Sequence, residues 1–321
     1  MTLVLFFAFA VSCRKEAAKV MDKQNKSAVT PSELSENQDS GKSQNSEIKE
    51  NITRLTSKPK QVVPPGEYTQ VSAGFRHTCA IKGGKVLCWG NNDDGQLEVP
   101  ALHNPKLIAS GGFGSCAIDT DGLKCWGGRA FRKKTPALAS PSQVSIGPRF
   151  MCAIHKGGLG CWGDGTFGSN DVPPLKNPVT VSSGAWHSCA VAEGKVKCWG
   201  RSDEGQTKVP LLKQPRTVSA SWNHVCAIDQ DGVKCWGDNS YGQSKPPALK
   251  NARLLATGIA HTCAIDDEGV KCWGDNKHGL LTIPSLKNAR AISAGGGHTC
   301  ALDDNGLHCW GLNSFGQTEV P

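Results

Sequence analysis

The sequence is poor in the side chains that usually fill a large core: it has two tyrosines, three methionines and nine phenylalanines in 321 residues. It also lacks an apolar run long enough for a membrane-spanning helix, which needs about 20 residues, because the longest run, Leu3–Val11, stops well short. Charge of one sign is not in strong excess. Of the 36 basic and 28 acidic residues, 10 and 7 lie between Arg14 and Gln61, which leaves 26 against 21 for the rest. With so mild a balance, and no basic helix or aromatic–basic motif, a nucleic-acid module is not expected. Zinc-site spacing is missing too, since structural sites place paired cysteines two to four residues apart and no such pairs occur.

What the chain does have is cysteine, tryptophan and glycine in a fixed order. Fifteen cysteines are too many for a reduced cytosolic protein of this size and indicate an oxidising compartment. Fourteen form pairs with eight residues between partners: Cys79/Cys88, Cys116/Cys125, Cys152/Cys161, Cys189/Cys198, Cys226/Cys235, Cys263/Cys272 and Cys300/Cys309. Each pair is followed by Trp-Gly, at Trp89, Trp126, Trp162, Trp199, Trp236, Trp273 and Trp310. Prolines from Pro64 to Pro321 delimit seven units, at about residues 64–100, 101–136, 137–173, 174–210, 211–247, 248–284 and 285–321. Such a period is the mark of a repeat architecture.

Within a unit, a stretch such as Thr180–Gly184 has the period of a strand, and HSCAV and VKCWG then alternate around a turn. Three short strands per unit result. The turn Ile118–Leu123 (IDTDGL) suits a four-residue hairpin loop with glycine in a left-handed conformation. If Ile118 faces Leu123, Cys116 faces Cys125. Directly opposed residues lie about 4.5–5.5 Å apart, within reach of a disulfide. The spacing therefore predicts one disulfide per unit. The Asp-rich turns lack the twelve-residue frame and terminal Glu of a calcium loop, so hairpin chemistry explains them.

A three-stranded sheet with two apolar faces must bury both, and seven in sequence do so by packing radially. The fold class is all-β, a seven-bladed propeller over residues 62–321. A linear β-solenoid is the competing architecture, but its rungs are shorter and it needs no particular repeat number.

The unit VSAGFRHTCAI followed by VLCWGNNDDGQLEVP resembles the RCC1 repeat, in the superfamily that includes bacterial β-lactamase inhibitor protein II. The resemblance covers all seven units and implies three-stranded blades. Cysteines stand where those repeats normally carry aliphatic residues, and the second unit departs after Trp126. The amino terminus, an apolar run ending in Val11, Ser12 and Cys13, resembles a bacterial lipobox, which implies lipidation of Cys13. No Lys or Arg precedes the run, and Ala10 stands where leucine is usual. A cleaved ordinary signal peptide is the alternative. Residues 14–61, rich in Lys, Ser, Glu and Asn, read as a disordered tether. The resulting expectation is an outer-membrane lipoprotein facing the periplasm or the exterior, or a secreted protein.

Function must come from residues that break the repeat. The loop after the first strand and the loop after Trp-Gly fall on one face. The first varies: Phe75-Arg76, Gly112-Phe113, Pro148-Arg149, Ala185-Trp186 and Trp222-Asn223. The second carries Phe131, Phe167, Tyr241, His278 and Phe315, with Asp94 and Glu204 in the other blades. Aromatic and arginine side chains on one face have the composition of a protein-binding surface. Phe75, Arg76, Phe113, Arg149, Trp186, Trp222, Asn223, Phe167, Tyr241 and Phe315 are the candidate partner-binding residues, although the second set also suits a role in covering the gap between blades. The opposite face is expected to carry acidic turns. Five in-register histidines, His77, His187, His224, His261 and His298, read as structural, each satisfying a local backbone hydrogen bond. A monomeric, non-enzymatic interaction module with an unidentified protein partner and no cofactor or metal is expected. A propeller enzyme or glycan binder, and an RCC1-like guanine-nucleotide exchange factor, are the alternatives.

Overall fold

A computed structural model describes residues 67–128 and 135–321. Cys13, the expected signal and tether segments and Phe131 lie outside the described residues. The described part is all β, with seven three-stranded antiparallel sheets in which neighbours in sequence are neighbours in space. Blade 1 illustrates the unit, with strands Tyr68–Ala73, His77–Lys82 and Lys85–Gly90. In blade 5 they are Thr217–Ala220, His224–Asp229 and Gly232–Gly237.

The register explains the cysteines. Cys79 faces Cys88, and the same pairing recurs in every blade. All seven disulfides form, Cys79–Cys88, Cys116–Cys125, Cys152–Cys161, Cys189–Cys198, Cys226–Cys235, Cys263–Cys272 and Cys300–Cys309, with Cα atoms 4.0–4.1 Å apart. The spacing treats the two partners alike, but the structure does not. The first cysteine of each pair lies on the middle strand and is fully buried. Its partner, Cys88, Cys125, Cys161, Cys198, Cys235, Cys272 or Cys309, lies on the third strand, at the sheet edge, and is only half-buried.

The hairpin is tighter than its sequence suggested. Asp119 pairs with Gly122, so the ladder runs one pair further and the turn has two residues. Gly122 takes the positive φ of 125° that this geometry demands.

The core lies between blades rather than within them. Trp126 of blade 2 packs on Cys79 and Ile81 of blade 1, and Trp236 of blade 5 packs on Val191 and Val196 of blade 4. The indole N–H of each of these tryptophans also donates to a carbonyl of the preceding blade, Gln96 for Trp126 and Gln206 for Trp236. Trp89 donates in the same way to Gln317, which joins blade 7 to blade 1.

A second inter-blade belt involves the histidines, and here the local backbone bond expected from the sequence does not form. His77 Nε2 lies 2.9 Å from the Ser115 hydroxyl of the next blade, and His224, His261 and His298 reach Thr262, Thr299 and Thr78 at 2.8 Å. His187 faces a blade that carries Val225 at the hydroxyl position, and its ring nitrogens have no partner among the described residues. All five rings are fully buried. Burial holds His77, His187 and His261 down to about 4, and His224 and His298 to about 3, so the belt is neutral at pH 7.

The acidic turns are not a simple acidic surface. Asp119, Asp229, Asp266 and Asp303 are buried. One oxygen of each accepts the amide of the linker before the blade, as Asp266 does from Lys250 at 2.9 Å, and the other accepts a turn amide. Burial alone would raise these carboxyls, but the amides, with Lys124, Lys234, Lys271 or His308 beside them, hold them low.

Candidate interaction face

Two loops per blade build this face. In the first, Gly74 leaves no room for a side chain, since a Cβ there would lie 2.4 Å from the His77 ring and 2.8 Å from the Gly111 carbonyl of the next blade. Its amide accordingly bonds the His77 carbonyl, and Phe75 N donates to Gly111 O at 3.0 Å. The second loop is tied to the first: Asn91 N donates to Arg76 O, Asp164 N to Arg149 O, Arg201 N to Trp186 O and Asp238 N to Asn223 O. The variable residues are thus carried on rigid, cross-linked backbone.

Two aromatic clusters emerge. In the first, Phe75 of blade 1 stacks on Trp222 of blade 5, with centroids 5.7 Å apart and planes 19° from parallel, and meets Phe113 of blade 2 edge-on at 6.3 Å. Blades 1 and 5 are not neighbours in the ring, so these side chains meet over its axis. Phe75 and Trp222 also line a central channel of about 680 Å³ whose wall is mostly the first strands. The Arg76 guanidinium lies 5.2 Å from the Phe75 ring and 5.1 Å from Phe315 of blade 7.

The second cluster sits on blades 3 and 4. Phe167 meets Trp186 edge-on at 5.9 Å, and Arg201 lies 5.7 Å from the Phe167 ring while its Nε holds Asp203 at 2.7 Å. Phe167 is 53% exposed and has φ 62°, a left-handed conformation unusual for an aromatic residue. Phe167 and Phe315, the latter 39% exposed, each lie against a side chain of the next blade, Trp186 and Arg76. Gln96, Gln206, Gln243 and Gln317 are buried, and their carbonyls accept from tryptophans of the next blade.

The remaining candidates are dispersed. Arg149 is exposed, Tyr241 half-buried and Asn223 buried. Asn223 serves the fold through its carbonyl, and its side-chain oxygen has no partner among the described residues. Burial, then Asp275 and Asp238, raises the Tyr241 phenol above its ordinary value. Sequence reasoning missed Arg201, although a signal was present: other blades place Asn, Asp, Gly or Leu directly after Trp-Gly. Among the described residues, one trio brings three possible metal-ligand atoms together, His103, Asp119 and Asp121, but the Lys124 ammonium already lies 2.9 Å from both carboxylates.

The model of the regulator of chromosome condensation (RCC1) repeat matches residues 68–96, 179–206, 216–243, 253–280 and 289–317. The two blades outside the match carry Gly114 and Phe150 in place of the belt histidine. The mitochondrial RCC1 domain-containing protein RUG3 of Arabidopsis thaliana is 40% identical over 73 residues, which cover 18% of this chain and 16% of that protein. This chain therefore spans about a sixth of the curated relative it matches. Among solved structures, the ectodomain of the Physcomitrella patens receptor kinase CR4 aligns with a TM-score of 0.66 at 21% identity, covering 77% of this chain and 73% of that one. The ectodomain of the Arabidopsis thaliana receptor kinase ACR4 gives 0.64 at 24% identity over 78% and 98%. Prp20p of Saccharomyces cerevisiae gives 0.63 at 15% identity over 71% and 80%. Five segments of the chain thus match the RCC1 repeat, and the described residues fold as a propeller of seven three-stranded blades with one disulfide in each.

Proposed function

We propose that the chain is a non-enzymatic protein-interaction module that works in an oxidising compartment outside the cytoplasm and presents its aromatic–arginine face to a protein partner. The observation that carries this reading is the pair of clusters, and Phe167 above all, which stands out into solvent on strained backbone with Trp186 and Arg201 against it. Aromatic and arginine anchors held on rigid backbone are the composition of binding hot spots, because little conformational entropy remains to be lost. The Prp20p structure concerns a propeller that binds Gsp1p and histones, so this architecture supports protein binding elsewhere. Seven disulfides argue for export and against nucleotide exchange on a cytosolic GTPase. Lipidation at Cys13 and a tether over residues 14–61 would then place the propeller at the cell envelope. Inhibition of a secreted enzyme is a specific form of the same reading.

The test is affinity capture from an envelope extract with the oxidised chain, beside a Phe167→Ala/Trp186→Ala variant. A partner held by the first and lost by the second supports the module. A partner retained equally by both moves the site off this face.

A further inference from the structure

The turn end of the propeller breaks the repeat in blades 3, 4 and 5. First strands begin there and hairpins close there: Pro178 of blade 4 pairs with Ala192, Thr217 of blade 5 with Ile228, and the linker carbonyl of Lys213 accepts the turn amide of Gln230. In blades 2, 5, 6 and 7 the turn opens on a buried aspartate, but blades 3 and 4 carry His155 and Ala192 at that position. Lysines are left over as a result. Among the described residues, Lys156, Lys176, Lys195 and Lys197 stand at this end of blades 3 and 4 against a single acid, Glu193, and Arg216 follows in blade 5. All five cations are exposed, and among the described residues none of them pairs with a carboxylate. The blade 5 acids do not offset Arg216, because Asp229 and Asp231 are taken by Lys234 at 2.9 Å and Lys213 at 3.1 Å.

Two large apolar side chains stand among these cations. Val179 is 67% exposed and Leu211 86%. Val179 is the extra residue of a bulge, since the register skips from Pro178 to Thr180. It takes the position held by Lys106, Arg216, Arg253 and Arg290 in other blades. Leu211 takes a position held elsewhere by Ala101, Ala137, Pro174 and Ala248, and its carbonyl accepts Lys234 Nζ, which fixes it beside the turn. The core takes Leu212, next in sequence, and leaves Leu211 outside. Lysine with exposed valine and leucine is not the composition of a protein-binding hot spot, which favours tryptophan, tyrosine and arginine. Apolar groups rimmed by cations are instead the composition of a surface that enters a lipid interface and pairs with anionic headgroups. The chain also enters the propeller at this end, where Tyr68, at the start of the first strand, pairs with Lys82. Attachment of the amino terminus to a membrane would therefore bring this face to it.

We propose that the turn end of blades 3, 4 and 5 docks on an anionic phospholipid surface, with Val179 and Leu211 entering the interface, the lysines and Arg216 at the headgroup phosphates, and the aromatic face turned away. Docking there does not depend on protein binding by the aromatic face, and no partner protein is present in its test. The oxidised full chain with Cys13→Ser, which prevents lipidation, is sedimented with vesicles of phosphatidylcholine alone or mixed with phosphatidylglycerol. Binding is expected to the mixed vesicles only, weakening as salt rises. Lys176→Gln/Lys195→Gln/Arg216→Gln should weaken it on the order of a hundredfold, since each cation near a charged membrane contributes about fivefold. Lys208→Gln/Lys245→Gln/Lys277→Gln removes the same charge from exposed positions on the loop face and should change it little. Val179→Ser/Leu211→Ser should weaken binding about tenfold or more through lost apolar burial, with the salt dependence unchanged. Near-ultraviolet circular dichroism of the tryptophans verifies that each variant is folded. Absence of binding to the mixed vesicles overturns the proposal. Equal loss in the two charge variants also overturns it, because net charge alone would then explain the contact. Undiminished binding by Val179→Ser/Leu211→Ser, with double-stranded DNA held as tightly as the vesicles, would identify a general polyanion surface and overturn the lipid assignment.

Discussion

Lowering the pH from 7 to 5 should remove a large part of the propeller's stability. The five belt histidines have an ordinary value near 6.5 and are held by burial to about 4 or, for His224 and His298, about 3. Below pH 6.5 the unfolded chain therefore binds protons that the folded chain refuses. The stability contributed by neutral burial is present above pH 6.5 and falls as the pH drops towards the folded values. Each histidine contributes a slope of about 1.4 kcal/mol per pH unit in that window, so five contribute about 7. Between pH 7 and pH 5 the loss is about 9 kcal/mol, a figure comparable with the whole stability of an ordinary domain. The buried turn carboxylates stay ionised throughout this window and do not contribute. Guanidinium unfolding followed by tryptophan fluorescence at pH 7, 6 and 5 measures the slope. His261→Gln, which keeps a donor facing Thr299, should reduce it by about one fifth while costing little at pH 7. A midpoint that does not move between pH 7 and 5, or an unchanged slope in the variant, would refute the reasoning.

Three further outcomes are expected. Trp236→Ala, which empties the space between blades 4 and 5 and leaves the Gln206 carbonyl without its donor, should cost about 3–5 kcal/mol at pH 7 in the same unfolding assay. Replacing Cys263 and Cys272 together by alanine should cost roughly 3 kcal/mol or less, because the loop they close is short and the hairpin register survives without the bond. Asp119 is held at about 2 against burial by the His103 and Asp121 amides and Lys124, so its contribution is present above its ordinary value of 3.8 and disappears as the pH falls through 2. Carbon NMR titration of its carboxyl should show that low midpoint, and a midpoint near 4 would contradict the clamp.

The blade count, the strand triplet and the disulfides were legible because they are local and periodic. Cys116 and Cys125 lie in one hairpin, and seven repeats of the same spacing leave little freedom. The two-residue turn was missed by one pair, since the burial of Asp119, which extends the ladder, depends on the preceding linker at His103. Contacts across the ring were not legible. Phe75 and Trp222 belong to blades 1 and 5, and no periodicity says that two loop aromatics will meet over the axis. The histidine belt left a partial trace in the sequence: the residue after each histidine position is Ser or Thr in five blades, and blade 3, which follows the blade carrying Gly114, has Met151 instead, whereas Ser188 after the Phe150 blade and Val225 after the His187 blade break the pattern. A histidine whose partner is a hydroxyl one blade onward explains that pairing, whereas a local backbone bond does not.

Photocrosslinking tests the interaction face most directly. A benzophenone amino acid is placed at Phe167 in one sample and at Asn305, on the opposite turn face, in another, and each oxidised chain is irradiated in an envelope extract. A discrete crosslinked protein is expected from position 167, absent from position 305 and abolished by Trp186→Ala/Arg201→Ala. A product formed equally well from position 305, or one from position 167 that persists in that variant, would contradict it.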